Sequence, residues 1–336
     1  MDHRHLIDGL LELAIVPSFS AIGPRVRRPL LGWSDPEPGA LAGRTALVTG
    51  PTGGLGRATT EALAGLGARV ILVGRDADRL DSLRRALIAA HGEDRFPAFV
   101  ADMASLASVR ATVQAILASD SALDIVVDNA GAIYPKRTTS PDGFEASLAL
   151  LAIGPFALVS GLLPLLRRSR DARVIAVTSG GMYSQGLDVD DLEGEAVEYN
   201  GPRFYARAKR AQVVLVREWA RRTAGSNLAF VAMHPGWART PGLTDALPGF
   251  DRVMGPILRT PAEGIDTIVW LATAARDDIA SGRLYLDRRP RSFDRAPWTR
   301  LDAAERRTLW DGVVRRTGDA DPIPEDAPSS LRIGVV

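Results

Sequence analysis

Tyr205 and Lys209 are the two side chains whose types and spacing most directly suggest chemistry. They stand four positions apart in the segment 203–223, whose pattern predicts a helix, so both project from one face. An ammonium close to a phenol favours the phenolate and lowers the barrier to proton transfer near neutral pH. Tyr205 is therefore a candidate general acid or base. The same spacing is common on helices that only pack, so the pair alone does not identify a site.

A glycine-rich stretch, residues 49–56, lies between a short apolar run and a segment that favours a helix. A strand that turns through glycines into a helix lets backbone amides approach a pyrophosphate closely. No Cβ stands in the way, and the helix N-terminus carries partial positive charge. We therefore predict a dinucleotide site here. Its expected cofactor contacts are Thr49, Gly50, Thr52, Gly53, Gly54, Leu55 and Gly56.

The end of the second expected strand bears on the choice of dinucleotide. It lies about 20 residues past the glycine loop, where the ribose contact of a dinucleotide is set. An acid there would hydrogen-bond the 2′-hydroxyl of NAD and repel the 2′-phosphate of NADP. Gly74 occupies that place and Arg75 follows it, and a guanidinium pairs well with a phosphate. We expect NADP(H) as the favoured cofactor, with NAD(H) as the alternative.

Short apolar or β-branched runs alternate with helix-forming segments between residues 41 and 290, which is typical of βαβ crossovers. We predict an α/β fold of Rossmann type: a doubly wound, three-layer αβα domain with a mainly parallel sheet of about seven strands. Its ligand crevice should lie at the carboxyl ends of the strands. The expected strands are 45–49, 69–73, 98–101, 125–128, 174–179, 228–233 and 283–286. The expected helices are 55–66, 79–90, 106–119, 143–168, 203–223 and 262–274.

Further polar residues follow the expected strands and form an ordered set with the glycine loop and the tyrosine–lysine pair. The set consists of Thr49-Gly-x-x-x-Gly54-x-Gly56, Asp102, Asn129-Ala130-Gly131, Ser179, Tyr205-x-x-x-Lys209, and Pro235-Gly236 with Thr240. This set resembles the short-chain dehydrogenase/reductase family over about residues 41–290. The sequences around Ser179, Tyr205 and Pro235 are most similar to the vertebrate dehydrogenase/reductase member-twelve branch and its bacterial relatives.

The resemblance implies hydride transfer between NADP(H) and a carbonyl or secondary alcohol. Ser179 would polarise the substrate oxygen, Tyr205 would be the general acid/base, and Lys209 would lower the pKa of the phenol and hold the nicotinamide ribose. Asn129 would brace the central strand, and Thr240 would hold the carboxamide. The further implied cofactor contacts are Asp102, which would meet the adenine, with Met103, Ala130, Gly131, Pro235 and Gly236.

The segment 241–260 should be a lid over the substrate. Its apolar residues suggest a lipophilic ligand, although they would equally suit a lid that packs on its own core. These residues are Leu243, Leu247, Phe250 and Met254.

Leu151 departs from the family pattern, which usually has an asparagine three residues before a glycine in the long helix after the fourth strand. In the family the backbone carbonyl at this position is thought to hold a relay water beside the lysine. Pro155 has no N–H, so the carbonyl of Leu151 loses its helical partner. We hypothesise that a kink at Gly154-Pro155 keeps the water site. The departure also leaves open a dinucleotide-binding module with little or no turnover.

The glycine loop additionally fits the spacing Gly50-x-x-Gly53-x-x-Gly56 of the extended epimerase/dehydratase branch, which stays a further alternative.

Composition bears on which classes of function are expected. The 336 residues are 46% hydrophobic with net charge +1, which argues for a globular core and against nucleic-acid binding. Cysteine is absent and the four histidines lack metal-ligand spacing, so we expect no metal site. No convincing signal peptide precedes the domain, and a cytoplasmic location is the expectation.

Two extensions flank the expected domain of residues 41–290. Residues 1–40 hold an amphipathic helix and a linker, and we expect the helix to pack on the domain rather than on a membrane surface. Residues 291–336, rich in arginine and proline, should form surface decoration with one helix. The uncharged segment 146–166 is long enough to span a bilayer, but we expect a buried helix partly covered by a second subunit, and hence a homo-oligomer.

Overall fold

An eight-stranded sheet organises the molecule, for which a computed structural model describes residues 3–240, 242, 244 and 248–325. The strand order is β3-β2-β1-β4-β5-β6-β7-β8, with the first seven strands parallel and β8 antiparallel to β7. The chain order reverses between β1 and β4, which is where a doubly wound sheet opens its crevice. The α/β fold class is confirmed. The strands are β1 Thr45–Thr49, β2 Arg69–Gly74, β3 Ala98–Val100, β4 Ile125–Asp128, β5 Ala172–Val177, β6 Leu228–Met233, β7 Leu284–Leu286 and β8 Arg289–Arg291.

The eighth strand is the one that the sequence did not predict. It reads Arg-Pro-Arg, and neither residue type favours a strand. A tight turn makes it possible, because Asp287 and Arg288 both adopt left-handed backbone angles, with φ of 53° and 57°. The proline sits on the sheet edge, where its missing N–H is tolerated. The expected domain boundary at residue 290 therefore falls inside β8.

Helices cover both faces of the sheet, and two separate clusters of buried residues form the core. One cluster lies under α6, α8, α9 and α12, the other under α4, α5 and α11. This is the three-layer arrangement expected. The helices are α1 His3–Leu13, α2 Ile15–Phe19, α3 Ile22–Leu31, α4 Gly54–Gly65, α5 Ala77–His91, α6 Leu106–Ser119, α7 Ala146–Leu148, α8 Gly154–Leu166, α9 Gly201–Arg222, α10 Pro248–Met254, α11 Pro261–Thr273 and α12 Ala303–Thr317.

The long helix expected over 143–168 is irregular. It begins at α7, passes through a π-helical turn at Ala149–Ile153, and continues as α8. At the junction the N–H of Gly154 donates to the carbonyl of Ala149, five residues back. A Cβ on Gly154 would overlap the carbonyl oxygen of Met103, so glycine allows the close approach of this helix to the loop after β3. The regular helix predicted here is wrong at this turn.

The apolar segment 146–166 is the one helix, within the described residues, that is long and apolar enough to cross a membrane, and most of it is buried inside the fold. Its cover comes from the same chain. Trp310 of α12 is fully buried, and its ring lies 4.8 Å from that of Phe156. Because α12 of the same chain covers this helix, its apolar surface no longer requires a second subunit as cover. Homo-oligomer formation stays a prediction.

Helix α12 also corrects the expectation of a decorative C-terminal segment. Leu309, Trp310 and Val313 are completely buried and belong to the main core cluster. A capping box fixes the start of the helix, since Asp302 accepts from the N–H of Glu305 and the Glu305 carboxylate accepts from the N–H of Asp302. The many arginines in this region make the apolar face of α12 hard to recognise from the sequence.

The N-terminal extension folds as three short helices, α1–α3, instead of the single helix and linker that were expected. It packs on the domain beside β7 and β8. Arg27 is fully buried and donates to Asp8 at 2.7 Å and to Asp287 at 2.6 Å, so it joins the extension to the β7–β8 turn. Phe19, at the end of α2, belongs to the main core.

Candidate active site

The glycine loop after β1 has the geometry of a phosphate cradle. Gly50 has a φ of 66°, and a Cβ there would lie 3.1 Å from the Cα of Ala130. A Cβ on Gly56 would overlap the carbonyl oxygen of Gly50, so α4 can start directly against the loop only with glycine at this position. Gly53 caps α4 without a side-chain hydrogen bond, which leaves the first-turn amides to bind an anion. The residues present fit a pyrophosphate.

Thr49 and Asn129 lock the ends of β1 and β4 together. The hydroxyl of Thr49 accepts from the N–H groups of Asn129 and Ala130, both at 2.9 Å. The amide of Asn129 donates to the carbonyls of Thr49 at 2.9 Å and of Gly50 at 3.3 Å. These bonds hold open the crevice beside Gly131, which follows in the chain.

The loop after β6 closes the other side of the cradle. A Cβ on Gly54 would lie 3.3 Å from the Cβ of Thr240, so this threonine stands beside the glycine loop, and its contact with the carboxamide stays a prediction. Gly236 has a φ of 71°, and a Cβ there would overlap Arg259 and the carbonyl oxygen of Phe19. Pro235 and Gly236 are thus held in place by the N-terminal extension.

Two arginines lie on the side of the loop where the 2′-position of a ribose belongs. Arg75 is exposed at the end of β2. Arg79, which sequence reasoning missed, donates from its guanidinium to the carbonyl of Thr52 at 3.1 Å. Asp76 is occupied as the N-cap of α5 and accepts from the N–H of Arg79 at 3.0 Å. The sequence held one signal for this contact. Arg79 stands three residues after Asp76, the N-cap of α5, and so lies in the first helical turn, which faces the glycine loop.

The loop after β3 carries Asp102, which is predicted to meet the adenine, and Met103, a further predicted cofactor contact. Asp102 is exposed, and its carboxylate accepts from the N–H of Ala104 at 2.9 Å. Met103 is 4% exposed. The backbone here is fixed by Gly154 of α8, against which the carbonyl of Met103 lies.

Ser179 and Tyr205 meet at the end of β5. Ser179 caps the 3₁₀ turn Gly180–Ser184, and its hydroxyl accepts from the N–H of Gly181 at 3.2 Å. Burial raises the pKa of Tyr205 to about 12, and a side-chain hydrogen bond with Ser179 offsets part of that rise. The fold therefore brings the two hydroxyl groups together, although 26 positions separate them in the chain.

Lys209 lies one helical turn from Tyr205, with its Nζ 5.9 Å from the centre of the tyrosine ring. It donates to the carbonyl of Val177 at 2.7 Å and to Oε1 of Gln212 at 3.3 Å. Burial lowers the pKa of Lys209 to about 8, against the opposing effect of Asp128. The expected lowering of the tyrosine pKa is not found in this structure, because burial dominates at Tyr205.

Asp128 and Gln212 extend the group around Lys209, and neither was assigned a role from the sequence. The amide of Gln212 donates to Asp128 at 2.6 Å, and the hydroxyl of Thr49 lies 3.5 Å from the other oxygen of the same carboxylate. Burial raises the pKa of Asp128 to about 6. The sequence held a signal for each residue. Asp128 is an acid at the end of a central strand, and Gln212 is a polar residue one turn beyond Lys209.

Leu151 lies in the π-helical turn and is fully buried. Its Cδ2 is 3.3 Å from the place of a Cβ on Gly131, so the leucine side chain packs against the crevice wall. The helix is irregular at this residue, as the hypothesis of a retained water site requires. The water itself remains a proposal.

Two further features flank the site: the segment 241–260, predicted to be a lid, and His234, which directly follows β6. Phe250 of α10 packs edge-on against Trp237, with ring centres 5.2 Å apart. Met254, which ends α10, is half-buried, whereas Leu243 and Leu247 lie outside the described residues. His234 is buried beside Phe19 at 4.4 Å, and burial lowers its pKa to about 3; its Nδ1 accepts from the N–H of Gly236. It stabilises the turn after β6.

Comparison with known proteins agrees with this geometry. Residues 44–248 match the short chain dehydrogenase family. The chain is 38% identical over 251 residues to human dehydrogenase/reductase SDR family member 12, covering 74% of this chain and 78% of that protein. It is 36% identical over 312 residues to human retinol dehydrogenase 14, covering 86% and 90%.

Solved structures show the same fold. The Pseudomonas aeruginosa RhlG/NADP active-site complex superposes with a TM-score of 0.61 at 27% identity, covering 74% of this chain and 96% of that one. A nicotinamide dinucleotide is thus the class of cofactor that the cradle fits. The glycine cradle, the Ser179–Tyr205–Lys209 group and the sequence match lead to one conclusion: the chain belongs to the short-chain dehydrogenase family of oxidoreductases.

Proposed function

We propose that this protein transfers hydride between NADP(H) and a carbonyl or secondary alcohol of a lipophilic small molecule. The observation that carries the proposal is the convergence of Ser179, Tyr205 and Lys209 at the end of β5, beside the glycine cradle. A cradle alone would only bind a dinucleotide. A hydrogen-bonded serine–tyrosine pair next to a buried lysine adds a route for a proton.

The nicotinamide ring supplies hydride chemistry when the cofactor is bound. Ser179 donates a hydrogen bond that orients the substrate oxygen, and Tyr205 delivers the proton to that oxygen in reduction or removes it in oxidation. Since burial raises the pKa of Tyr205 to about 12, the phenol carries its proton at neutral pH. Lys209, held by Val177 and Gln212, places a positive charge one turn away.

NADP(H) is favoured over NAD(H) because of charge at the end of β2. Arg75 and Arg79 provide two guanidinium groups there, and one carboxylate oxygen of Asp76 accepts the N–H of Arg79 as a helix cap. A 2′-phosphate would gain two charge-assisted contacts with these arginines.

A lipophilic substrate is supported by the aromatic contact between Trp237 and Phe250 at the lid. Retinol dehydrogenase 14, by its name, acts on an apolar alcohol of this kind. A cytoplasmic location and assembly into a homo-oligomer remain predictions from the sequence, which cell fractionation and analytical ultracentrifugation test.

Turnover of NADPH with a panel of lipophilic ketones tests the proposal. Tyr205→Phe should lower kcat by at least about a hundredfold while NADPH binding is kept. Tyr199→Phe is the matched control, because the Tyr199 hydroxyl donates to the carbonyl of Tyr134 away from Ser179. Equal rates in wild type and Tyr205→Phe would refute the proton-transfer role.

The second candidate is a dinucleotide-binding module without turnover, which is favoured by Leu151 in place of a polar side chain at the crevice wall. The same assay separates it from the oxidoreductase. A wild-type protein that binds NADPH tightly, yet reduces no ketone and oxidises no alcohol of the panel, would support the module.

A further inference from the structure

The outer surface of α1–α3 is apolar. Twelve large hydrophobic residues are exposed in the described part of the chain, and eight of them lie on these three short helices. All eight are aliphatic. They are Leu6, Ile7, Leu10, Leu13, Ile15, Val16, Ile22 and Val26, with Leu13 82% and Leu10 59% exposed. We call this set the outer aliphatic face.

The inner surface of the same helices holds Phe19 and a set of buried charges, and a charged inner side is unusual for a surface helix. Asp8 is 4% exposed and Arg27 is fully buried. Arg27 donates to Asp8 at 2.7 Å and to Asp287 at 2.6 Å, and Arg291 donates to Asp8 at 2.8 Å. A rotation that turned the aliphatic residues inward would break this buried network and leave its charges unpaired. The outer aliphatic face is therefore fixed towards the surroundings.

The exposed charges that α1–α3 themselves carry have one sign. Residues 3–31 contain two acids, Asp8 and Glu12, and both are engaged by Arg27 on the inner side. The exposed ionisable side chains of the segment are His3, Arg4, His5, Arg25 and Arg28. Arg25 and Arg28 pair with Glu263 and Asp35, but ion pairs on the surface contribute little and exchange readily for other anions.

Two occupants could cover the outer aliphatic face: a second copy of this protein, or a lipid bilayer. The composition and charge of the face distinguish them. Interfaces between proteins are enriched in aromatic residues and methionine, and the outer aliphatic face has neither. A symmetric contact with a second copy would also bring basic residues against basic residues. An aliphatic surface with a basic rim instead complements an anionic lipid bilayer, where the apolar side chains enter the interface and the arginines meet headgroup phosphates.

We propose that α1–α3 dock the protein on an anionic lipid bilayer through the outer aliphatic face. The docked helices would lie next to the lid of the active site. The N–H of Trp237 donates to the carbonyl of Phe19 at 2.7 Å, and the ring of Trp237 packs against Phe250 of α10. Val253 of α10 is itself 75% exposed.

Co-sedimentation of the 336-residue chain with vesicles tests the proposal. The vesicles contain phosphatidylcholine alone, or phosphatidylcholine with phosphatidylglycerol. We expect binding to the anionic vesicles that weakens as salt is added. The double substitution Leu10→Gln with Leu13→Gln should lower the bound fraction about tenfold or more, since it removes two aliphatic anchors. Arg28→Gln should lower the binding constant for anionic vesicles by about fivefold, which is the contribution expected from one cation at an anionic surface.

The matched control is Val100→Gln with Val197→Gln, which changes exposed aliphatic residues outside α1–α3 and should leave sedimentation unchanged. Thermal melting of each variant verifies that it is folded. Absence of wild-type sedimentation with anionic vesicles would overturn the proposal, as would equal sedimentation of the leucine variant. A lipid-free dimer that the leucine variant dissociates, without vesicle binding by either protein, would assign the face to a second copy. Since no turnover is measured, the outcome is independent of the hydride-transfer proposal.

Discussion

Gln212 donates a hydrogen bond from Nε2 to Oδ2 of Asp128 at 2.6 Å. The other end of the same amide accepts from Lys209, so one glutamine joins a buried carboxylate to a buried ammonium. Its orientation is fixed, because each end of the amide can satisfy only one of the two partners. The buried ammonium of Lys209 is therefore linked through Gln212 to Asp128 at the end of β4.

Asp128→Asn should move the alkaline limb of the kcat profile to lower pH. The charge of Asp128 raises the pKa of Lys209, which burial holds at about 8. Without that charge, the ammonium loses its proton at a lower pH, while an asparagine oxygen still accepts from Gln212. The protonated fraction changes about tenfold for each pKa unit once the pH exceeds the pKa. Steady-state kinetics between pH 6 and pH 9 measure the shift.

Asp188→Asn removes an exposed carboxylate and serves as the control, with an expected profile like that of wild type. An unchanged profile for Asp128→Asn, in a protein that melts like wild type, would show that the carboxylate does not act on Lys209.

Arg75→Ala and Arg79→Ala should each weaken NADPH binding by about tenfold, the value of a charge-assisted hydrogen bond. NADH lacks the 2′-phosphate, so its dissociation constant should change much less. Arg84→Ala, on the same helix, is the control, because Arg84 pairs with Asp94 at the surface. Titration calorimetry with both cofactors measures the difference. An equal loss for NADH and NADPH would mean that the arginines shape the loop without reading the phosphate.

Gly154→Ala should destabilise the protein by about 3 kcal/mol or more, because the added Cβ overlaps the carbonyl oxygen of Met103. Gly65→Ala is the matched control in another helix. Apart from its chain neighbours and the backbone of its own helix, no atom lies within 4 Å of the Cβ that it adds, and it should stabilise the protein by about 0.5–1 kcal/mol. Urea unfolding of both variants measures the difference in free energy. Similar stabilities would contradict a close approach at Gly154.

Trp310→Ala should cost about 3–5 kcal/mol of unfolding free energy, since the side chain is fully buried against Phe156 and Trp219. Trp298→Ala, with a side chain that is 66% exposed, should cost less than about 1 kcal/mol. Denaturant unfolding compares the two. A small effect at Trp310 would return α12 to the decorative role predicted from the sequence.

The sequence by itself determined the features that are local. The β1–loop–α4 unit depends on glycines within one short stretch, and Tyr205 and Lys209 lie one turn apart on any helix. Alternation of apolar runs with helical segments determined the layers, since buried parallel strands need apolar residues on both faces. These features were sufficient to predict the fold class and the dinucleotide loop, whereas the role of Ser179 was implied only by the family resemblance.

Tertiary structure decided what depends on distant residues. Asp128 and Gln212 are 84 positions apart, and Arg79 reaches Thr52 across 27 positions. The cover of α8 by α12 and the outward direction of the aliphatic face also depend on partners far along the chain. Hydrophobic periodicity shows that a helix has two faces, but it does not show which one the fold covers. In α1–α3 the buried bonds of Arg27 with Asp8 and Asp287 settled that choice, and they turned the apolar face outward.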